Sequence, residues 1–313
     1  MHKLQNAVDA LNSRLEGRLE LRLLERTAST SSLLRELAQQ GGLQHPTLIC
    51  TDDQPGGRGT RGRNWLMQPG RDLAFSLGLP LAQGLEPSAR LPLALSVLVA
   101  QSLANQIREQ WSSASLIRQA PGPPGTTGER VLSAFDEARD ELAQRICAVK
   151  WPNDLLLARP GPAGELVYRK CGGILVERTG GILLIGLGIN VNSTAAGFGP
   201  PLSASLHTLR DCCGFELDRA ALFSGLVLRL YGRLLFNGTL AGFSSRDATA
   251  IDSLEQAWRS LDRTAGQRWL LVRAGREIPV VATHVDYASG SLHVSDEAGN
   301  MYAVDSYSEL AAK

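Results

Sequence analysis

The chain has 313 residues, of which 43% are hydrophobic and 20% charged, and its 32 basic and 31 acidic residues leave a net charge of +1. Such a mixture excludes disordered and fibrous chains, and it gives room for one large domain and a small one. The near balance of charge lacks the basic excess that a dedicated nucleic-acid binder carries.

The N-terminal stretch MHKLQNAVDALNS lacks the apolar centre of a signal peptide and sets Leu4, Val8, Leu11 and Leu15 at helical spacing, so residues 1–20 read as a short helical extension. ELRLLERTAST reads as a strand ending in a polar turn. STSSLLRELAQQGG is a helix with a Ser/Thr start and a glycine stop. HPTLICTDDQ is a strand that delivers the chain into GGRGTRGRNW, residues 56–65. DLAFSLGLP is another strand, followed by a long helix over 88–109. The longest apolar run, LPLALSVLVA at 91–100, is too short to span a bilayer. Residues 119–130, QAPGPPGTTGER, are a Pro/Gly insertion expected on the surface, and VLSAFDEARDELAQR reads as a charged helix.

Three strands then arrive close together in ICAVKWPNDLLLA, KCGGILVER and GILLIGLGINVN, and helices follow over 218–236 and 244–260. After Leu261 the texture changes to RWLLVRA, EIPVVATHVD, SLHVSDE and MYAVDS, short strands separated by turns, which predict a small all-β domain over 261–313. Cys50, Cys147, Cys171, Cys212 and Cys213 show no CxxC spacing. That pattern suits reduced thiols better than a disulfide framework or a zinc site, and a soluble cytoplasmic protein with no membrane partner is expected.

Four stretches carry chemistry: GRGTRGRNW at 57–65, KWPNDLLL at 150–157, KCGGILVE at 170–177 and IGLGINVN at 185–192. Glycine lets backbone N–H groups approach an anion, and arginine offers a planar fork of donors to phosphate. The five histidines lie outside all four stretches. That argues against a Ser-His-Asp hydrolase and against a histidine metal site. In this order, and from about Leu21 to the C-terminus, the stretches resemble the biotin–protein ligases. The resemblance implies an α/β (α+β) catalytic domain over 21–260, similar to class II aminoacyl-tRNA synthetases, followed by a small SH3-like β barrel. It also implies activation of biotin by ATP as biotinyl-5'-AMP, with Mg2+ on the phosphates, and transfer to a lysine of a biotin carboxyl carrier protein, as in acetyl-CoA carboxylase.

By the same resemblance Ser29, Thr30 and Gln54 hydrogen-bond the biotin ureido ring, with Ser31 beside them. The lid from Gly57 through Arg58, Gly59 and Thr60 covers biotin, and Arg58 faces the reacting group. Lys150 stabilises the charge that builds up around the carboxylate and the α-phosphate. Arg61, Gly62, Arg63, Trp65, Asn153, Asp154, Lys170, Gly172, Gly173 and Asn190 surround the adenylate. Three departures stand out: Ser31 where the family usually has Asn, Thr60 where it usually has Arg, and a C-terminal YSELAAK that keeps Glu309, Leu310 and Lys313 of the usual pattern. Many members dimerise through a sheet of the catalytic domain, so a homodimer is allowed. The roughly twenty residues before the catalytic texture are too few for a DNA-reading helix-turn-helix domain. The alternatives are a lipoate or octanoyl ligase or transferase using Cys171 as acyl carrier, and a biotin-binding regulator without catalysis.

Overall fold

A computed structural model describes residues 2–82, 87–117, 145–236, 248–306 and 309–311. The Pro/Gly insertion and most of the charged helix after it lie outside the described residues. Among the described residues twelve strands form two sheets. The larger has the order β1 (Glu20–Arg26), β2 (Thr47–Asp53), β3 (Leu73–Pro80), β7 (Ile182–Ile189), β6 (Leu166–Thr179), β5 (Asp154–Pro160) and β4 (Cys147–Lys150). Only β1 and β2 run parallel; every other neighbouring pair is antiparallel. The second sheet is antiparallel throughout, in the order β11 (Met301–Val304), β10 (Ser291–Asp296), β9 (Arg276–Asp286), β8 (Arg268–Arg273), β12 (Leu310–Ala311).

Period-two alternation decides what each face of the large sheet holds. In β3, Leu73, Phe75, Leu77 and Leu79 enter the main core, and in β7 Leu183, Ile185, Leu187 and Ile189 join them. The helices α1 (His2–Leu15), α3 (Leu91–Ile117) and α5 (Arg219–Tyr231) cover that face. On α1, Leu4, Val8, Leu11 and Leu15 are buried in the same core as the strands. The opposite face is shorter of side chain. It holds a small cluster of Leu34, Leu43, Ile49, Ile182 and Leu184 beneath α2 (Thr30–Gln39). Beside that cluster β3 contributes Ala74 and Ser76 and β7 contributes Gly186 and Gly188, paired Ala74 with Gly188 and Ser76 with Gly186. A strip of a sheet that carries serine, alanine and glycine is a trough.

ICAVKWPNDLLLA is two strands and not one: β4 ends at Lys150, the chain turns through Trp151–Asn153, and β5 begins at Asp154. The turn docks the C-terminal domain. Trp151 is buried, its backbone N donates to Thr264 Oγ1 at 2.9 Å, and its indole Nε1 donates to the Gly290 carbonyl at 2.9 Å. Gly290 lies at φ +79 in the turn between β9 and β10, and a Cβ there would sit 2.9 Å from the Ala89 carbonyl. Two further helices, α4 (Leu209–Cys213) and α6 (Ala248–Leu261), complete the described fold. Residues 232–236 continue α5 as a π turn, so the helix read over 218–236 ends in looser winding. Among the described residues no helix is long and apolar enough to cross a membrane.

His207 is buried, and its ring Nδ1 lies 2.9 Å from the Leu157 carbonyl, so that nitrogen carries the proton and donates. Burial holds its pKa below the ordinary histidine value. A depressed folded pKa means that the native state binds fewer protons than the unfolded chain. Stability is therefore full above the unfolded pKa of about 6.5 and falls as pH drops from there through the folded value. Thermal melts across that window should show the loss in wild type and a flatter profile in His207→Gln.

Candidate active site

The trough gathers most of the residues read from the sequence. Ser29 is the N-cap of α2; its Oγ accepts from Ser32 N at 3.4 Å and lies 3.1 Å from Ser31 Oγ. Gln54 Oε1 accepts from Thr30 N at 2.8 Å and from Thr30 Oγ1 at 3.1 Å. Thr30 Oγ1 also lies 2.8 Å from Ser76 Oγ. A hydroxyl has one hydrogen to give. With Thr30 donating to the Gln54 carbonyl oxygen, Ser76 donates to Thr30, and the Gln54 amide is turned so that its Nε2 faces away from Thr30. Ser76 is a site residue that the sequence reading passed over; its signal is a serine on the non-core face of an apolar strand.

The Gly/Arg loop is a small hairpin. Arg58 and Asn64 pair antiparallel, Gly59 N donates to Arg63 O at 2.7 Å, and Trp65 N donates to Gly57 O at 2.8 Å. Thr60–Gly62 form a 3-10 turn at its tip, with Gly62 at φ +66. Gly57 has no room for a side chain, because the Trp65 carbonyl and Gln54 Nε2 stand where a Cβ would go. The Trp65 ring rests on Gly188, where an added Cβ would lie 2.6 Å from it.

Under that lid the trough is a slot of about 50 Å³. Thr30, Ser31, Gln54 and Ser76 line its inner end, and Arg58, Gly59, Thr60 and Trp65 its roof. Asn153, Lys170 and Gly173 line its outer end. A larger cleft of about 710 Å³ adjoins it, lined by Lys150, Asp154, Gly172, Asn190 and Arg63 among others. Gly59, Thr60, Trp65, Asn153 and Lys170 line both. Ser29 and Gly57 line neither and act on their neighbours, as does Gly62 in the tip turn.

Register explains how distant parts of the sequence meet. Lys150 pairs with Asp154, Asp154 with Gly173, Gly173 with Gly188 and Gly188 with Ala74, one row across five strands. Residues paired this way share a face. Asp154 therefore stands at the end of the trough, 2.5 Å from Lys170 Nζ and 3.4 Å from Lys150 Nζ. Lys150, expected at the carboxylate and the α-phosphate, lines the larger cleft, and Lys170, expected near the nucleotide, lines both cavities. Asn153 is held by its side-chain amide on the Ile174 carbonyl, while Ile174 N returns a bond to Asn153 O at 3.0 Å.

Asn190 reaches the cleft wall from a buried support. Asp72, fully buried, accepts at Oδ1 from Val191 N at 2.8 Å and Ser193 Oγ at 2.7 Å, and at Oδ2 from Gln68 N at 2.9 Å and Asn190 Nδ2 at 3.3 Å. The Asn190 amide nitrogen is thereby committed to the carboxylate. At the C-terminus, Glu309 accepts from Arg273 at 3.1 Å and from Asp305 N at 3.1 Å, and so braces the second sheet. Lys313 lies outside the described residues. Cys171 is fully buried, its Sγ lies 3.5 Å from the Leu155 carbonyl, and burial pushes its thiol far above the ordinary range. A thiol held protonated inside a strand is a packed side chain and a poor acyl carrier.

A sequence profile of the Biotin/lipoate A/B protein ligase family matches residues 23–193, more than half of the chain. The chain belongs to that family. Among its relatives, the bifunctional ligase/repressor BirA of Bacillus subtilis is 25% identical over 201 residues, which cover 64% of this chain and 49% of that protein. BirA of Escherichia coli is 28% identical over 253 residues, covering 79% of this chain and 61% of that protein. The chain thus spans about half to three-fifths of the length of these relatives. The fold is similar to that of the biotin protein ligase of Aquifex aeolicus solved with biotin and ATP, with a TM-score of 0.62 at 22% identity over 93% of this chain and 97% of that one. It is also similar to the Leishmania major ligase solved with biotinyl-5-AMP, with a TM-score of 0.51 at 20% identity over 91% of this chain and 98% of that one. The family's fold, a mixed-sheet domain followed by a separate antiparallel β domain, is the fold of this chain.

Proposed function

We propose that the chain is an ATP-dependent biotin–protein ligase, which joins biotin to ATP as biotinyl-5'-AMP and passes the biotinyl group to a lysine of a biotin carrier domain such as that of acetyl-CoA carboxylase. One observation carries this reading. A slot with polar side chains at its closed end opens, at Lys170, into a cleft with cationic walls. A bicyclic urea bound at Thr30, Gln54 and Ser76 sends its valeryl carboxylate towards that junction, and a nucleotide in the cleft brings its α-phosphate to the same place. Two anions must be held against their repulsion, and preorganised ammonium and backbone N–H groups do this without moving at the moment of reaction. Lys170 stands between them, and Asp154, flanked by two lysines, fixes where its ammonium points.

The donor set of the cleft suits a Mg2+ carried in on ATP phosphates. Among the described residues Asp154 is its lining carboxylate, it already faces two ammonium groups, and no cluster of three or more His, Cys, Asp or Glu could cage a metal. Bound there, Mg2+ would neutralise phosphate charge. The lipoyl-transferase alternative asks for a reactive Cys171, which burial opposes. The non-catalytic alternative leaves Lys150 and Lys170 without a task. A cytoplasmic location accords with the five free thiols.

The test is mass spectrometry of an apo carrier domain incubated with the enzyme, ATP, Mg2+ and either biotin or lipoate. One added biotinyl group on a single lysine is expected, with no lipoyl group; the reverse preference overturns the reading. The floor of the slot gives a second check. A ligand of biotin's size needs Trp65 to lift from Gly188, and Gly188→Val would fill the trough and hold Trp65 off its seat. Overpacking of this kind costs about 1 to 3 kcal/mol. Titration calorimetry should show biotin affinity falling about ten-fold or more, with nucleotide affinity little changed.

A further inference from the structure

Arg263 belongs to none of the stretches that carry the family resemblance, yet it lines the large cleft with Tyr168, Arg169 and Lys170. It lies in the linker between the two sheets, and its backbone N donates to the Val149 carbonyl at 2.9 Å, one residue before Lys150. Its guanidinium lies over the Tyr168 ring, 4.9 Å from the centroid, with Nη2 3.4 Å from the Tyr168 hydroxyl. Nη1 donates to the carbonyls of Ser260 at 3.0 Å and Asp262 at 2.8 Å. Tyr168 is itself tied down, its hydroxyl donating to the Arg145 carbonyl at 2.9 Å. Stacked and anchored, the guanidinium is ordered before any ligand arrives, so little rotamer freedom is lost on binding one.

Its position along the cleft says what it would bind. Tyr168 and Lys170 are two residues apart on β6 and share a face, a separation of about 7 Å along a strand. With Lys170 at the α-phosphate, Arg263 stands one triphosphate's reach further out. Resting on the proposed ligase reading, we propose that Arg263 binds the β- and γ-phosphates of ATP and holds the departing pyrophosphate. In the step it serves, a biotin carboxylate oxygen bonds to the α-phosphorus and the bond from that phosphorus to the bridging oxygen breaks. The electron pair leaves on pyrophosphate, where a fixed guanidinium meets the charge.

The experiment separates the two half-reactions. Arg263→Gln should raise KM for ATP about ten-fold or more and slow pyrophosphate-driven reversal equally, since a charged hydrogen bond is lost. Transfer from preformed biotinyl-5'-AMP to the carrier, which involves no pyrophosphate, should keep its wild-type rate. Arg263→Lys keeps the cation but loses the fork, and should recover a large part of the ATP affinity. A wild-type KM for ATP in Arg263→Gln overturns the proposal. So does an equal fall in both half-reactions that Lys does not rescue, which would make Arg263 only the cap of α6 and a partner of Tyr168. Wild-type protein without biotin-dependent exchange would instead overturn the ligase reading itself.

Discussion

Lys170→Ala is expected to slow adenylate formation by about a hundred- to thousand-fold, the effect of removing one preorganised donor from a developing charge, or about 3 to 4 kcal/mol. The ammonium lies at the one place where slot and cleft meet, 2.5 Å from an Asp154 oxygen that fixes it. Biotin affinity should change little, because the polar end of the slot is Thr30, Gln54 and Ser76. Lys150→Ala removes a cation that lines the cleft alone, 3.4 Å from Asp154, and should act more weakly and mainly through ATP. Single-turnover adenylation on both variants decides the order. A larger loss in Lys150→Ala would return the reacting position to Lys150.

Asp72→Ala is expected to destabilise the fold by about 3 kcal/mol or more, because several buried donors lose their acceptor together and each unsatisfied one costs about 1 to 3 kcal/mol. Val191 N, Gln68 N and Ser193 Oγ all lie within 2.9 Å of its carboxylate. Asp72→Asn should fall between, since Oδ1 keeps its donors while an amide nitrogen at Oδ2 would face Gln68 N and Asn190 Nδ2 as a fellow donor. Urea unfolding measures both. Wild-type stability in Asp72→Ala would mean that the segment 190–193 holds its shape without the carboxylate.

What could be read from the residues was what repeats locally. α2 was legible because its Ser/Thr start, its apolar spacing and its glycine stop are all written within fourteen residues. The strands β3 and β7, and the turn-separated strands β8 to β11, were legible from their alternation. The trough was not, although its parts were in plain view. Ser76 and Gly186 matter because they are paired across two strands more than a hundred residues apart, and register is a property of the folded sheet. Lys150 and Lys170 both flank apolar strands in sequence, and that both meet at Asp154 is likewise seen only in the folded sheet. ICAVKWPNDLLLA reads as one strand region because its apolar flanks are continuous, and its Trp-Pro turn is legible from Pro152; what holds that turn, contacts to Thr264, Gly290 and Ile174, is distant in the chain. Asp72 and Arg263 gave no local signal, one standing at the head of the strand DLAFSLGLP and the other outside all four motif stretches.

The central claim is that this site activates biotin with ATP, and exchange of labelled pyrophosphate into ATP tests it most directly. Exchange that requires biotin, is not supported by lipoate or octanoate, and falls about a hundred-fold or more in Lys170→Ala is the result predicted. Exchange driven by lipoate, or none with either acid while biotin still binds, would contradict the account.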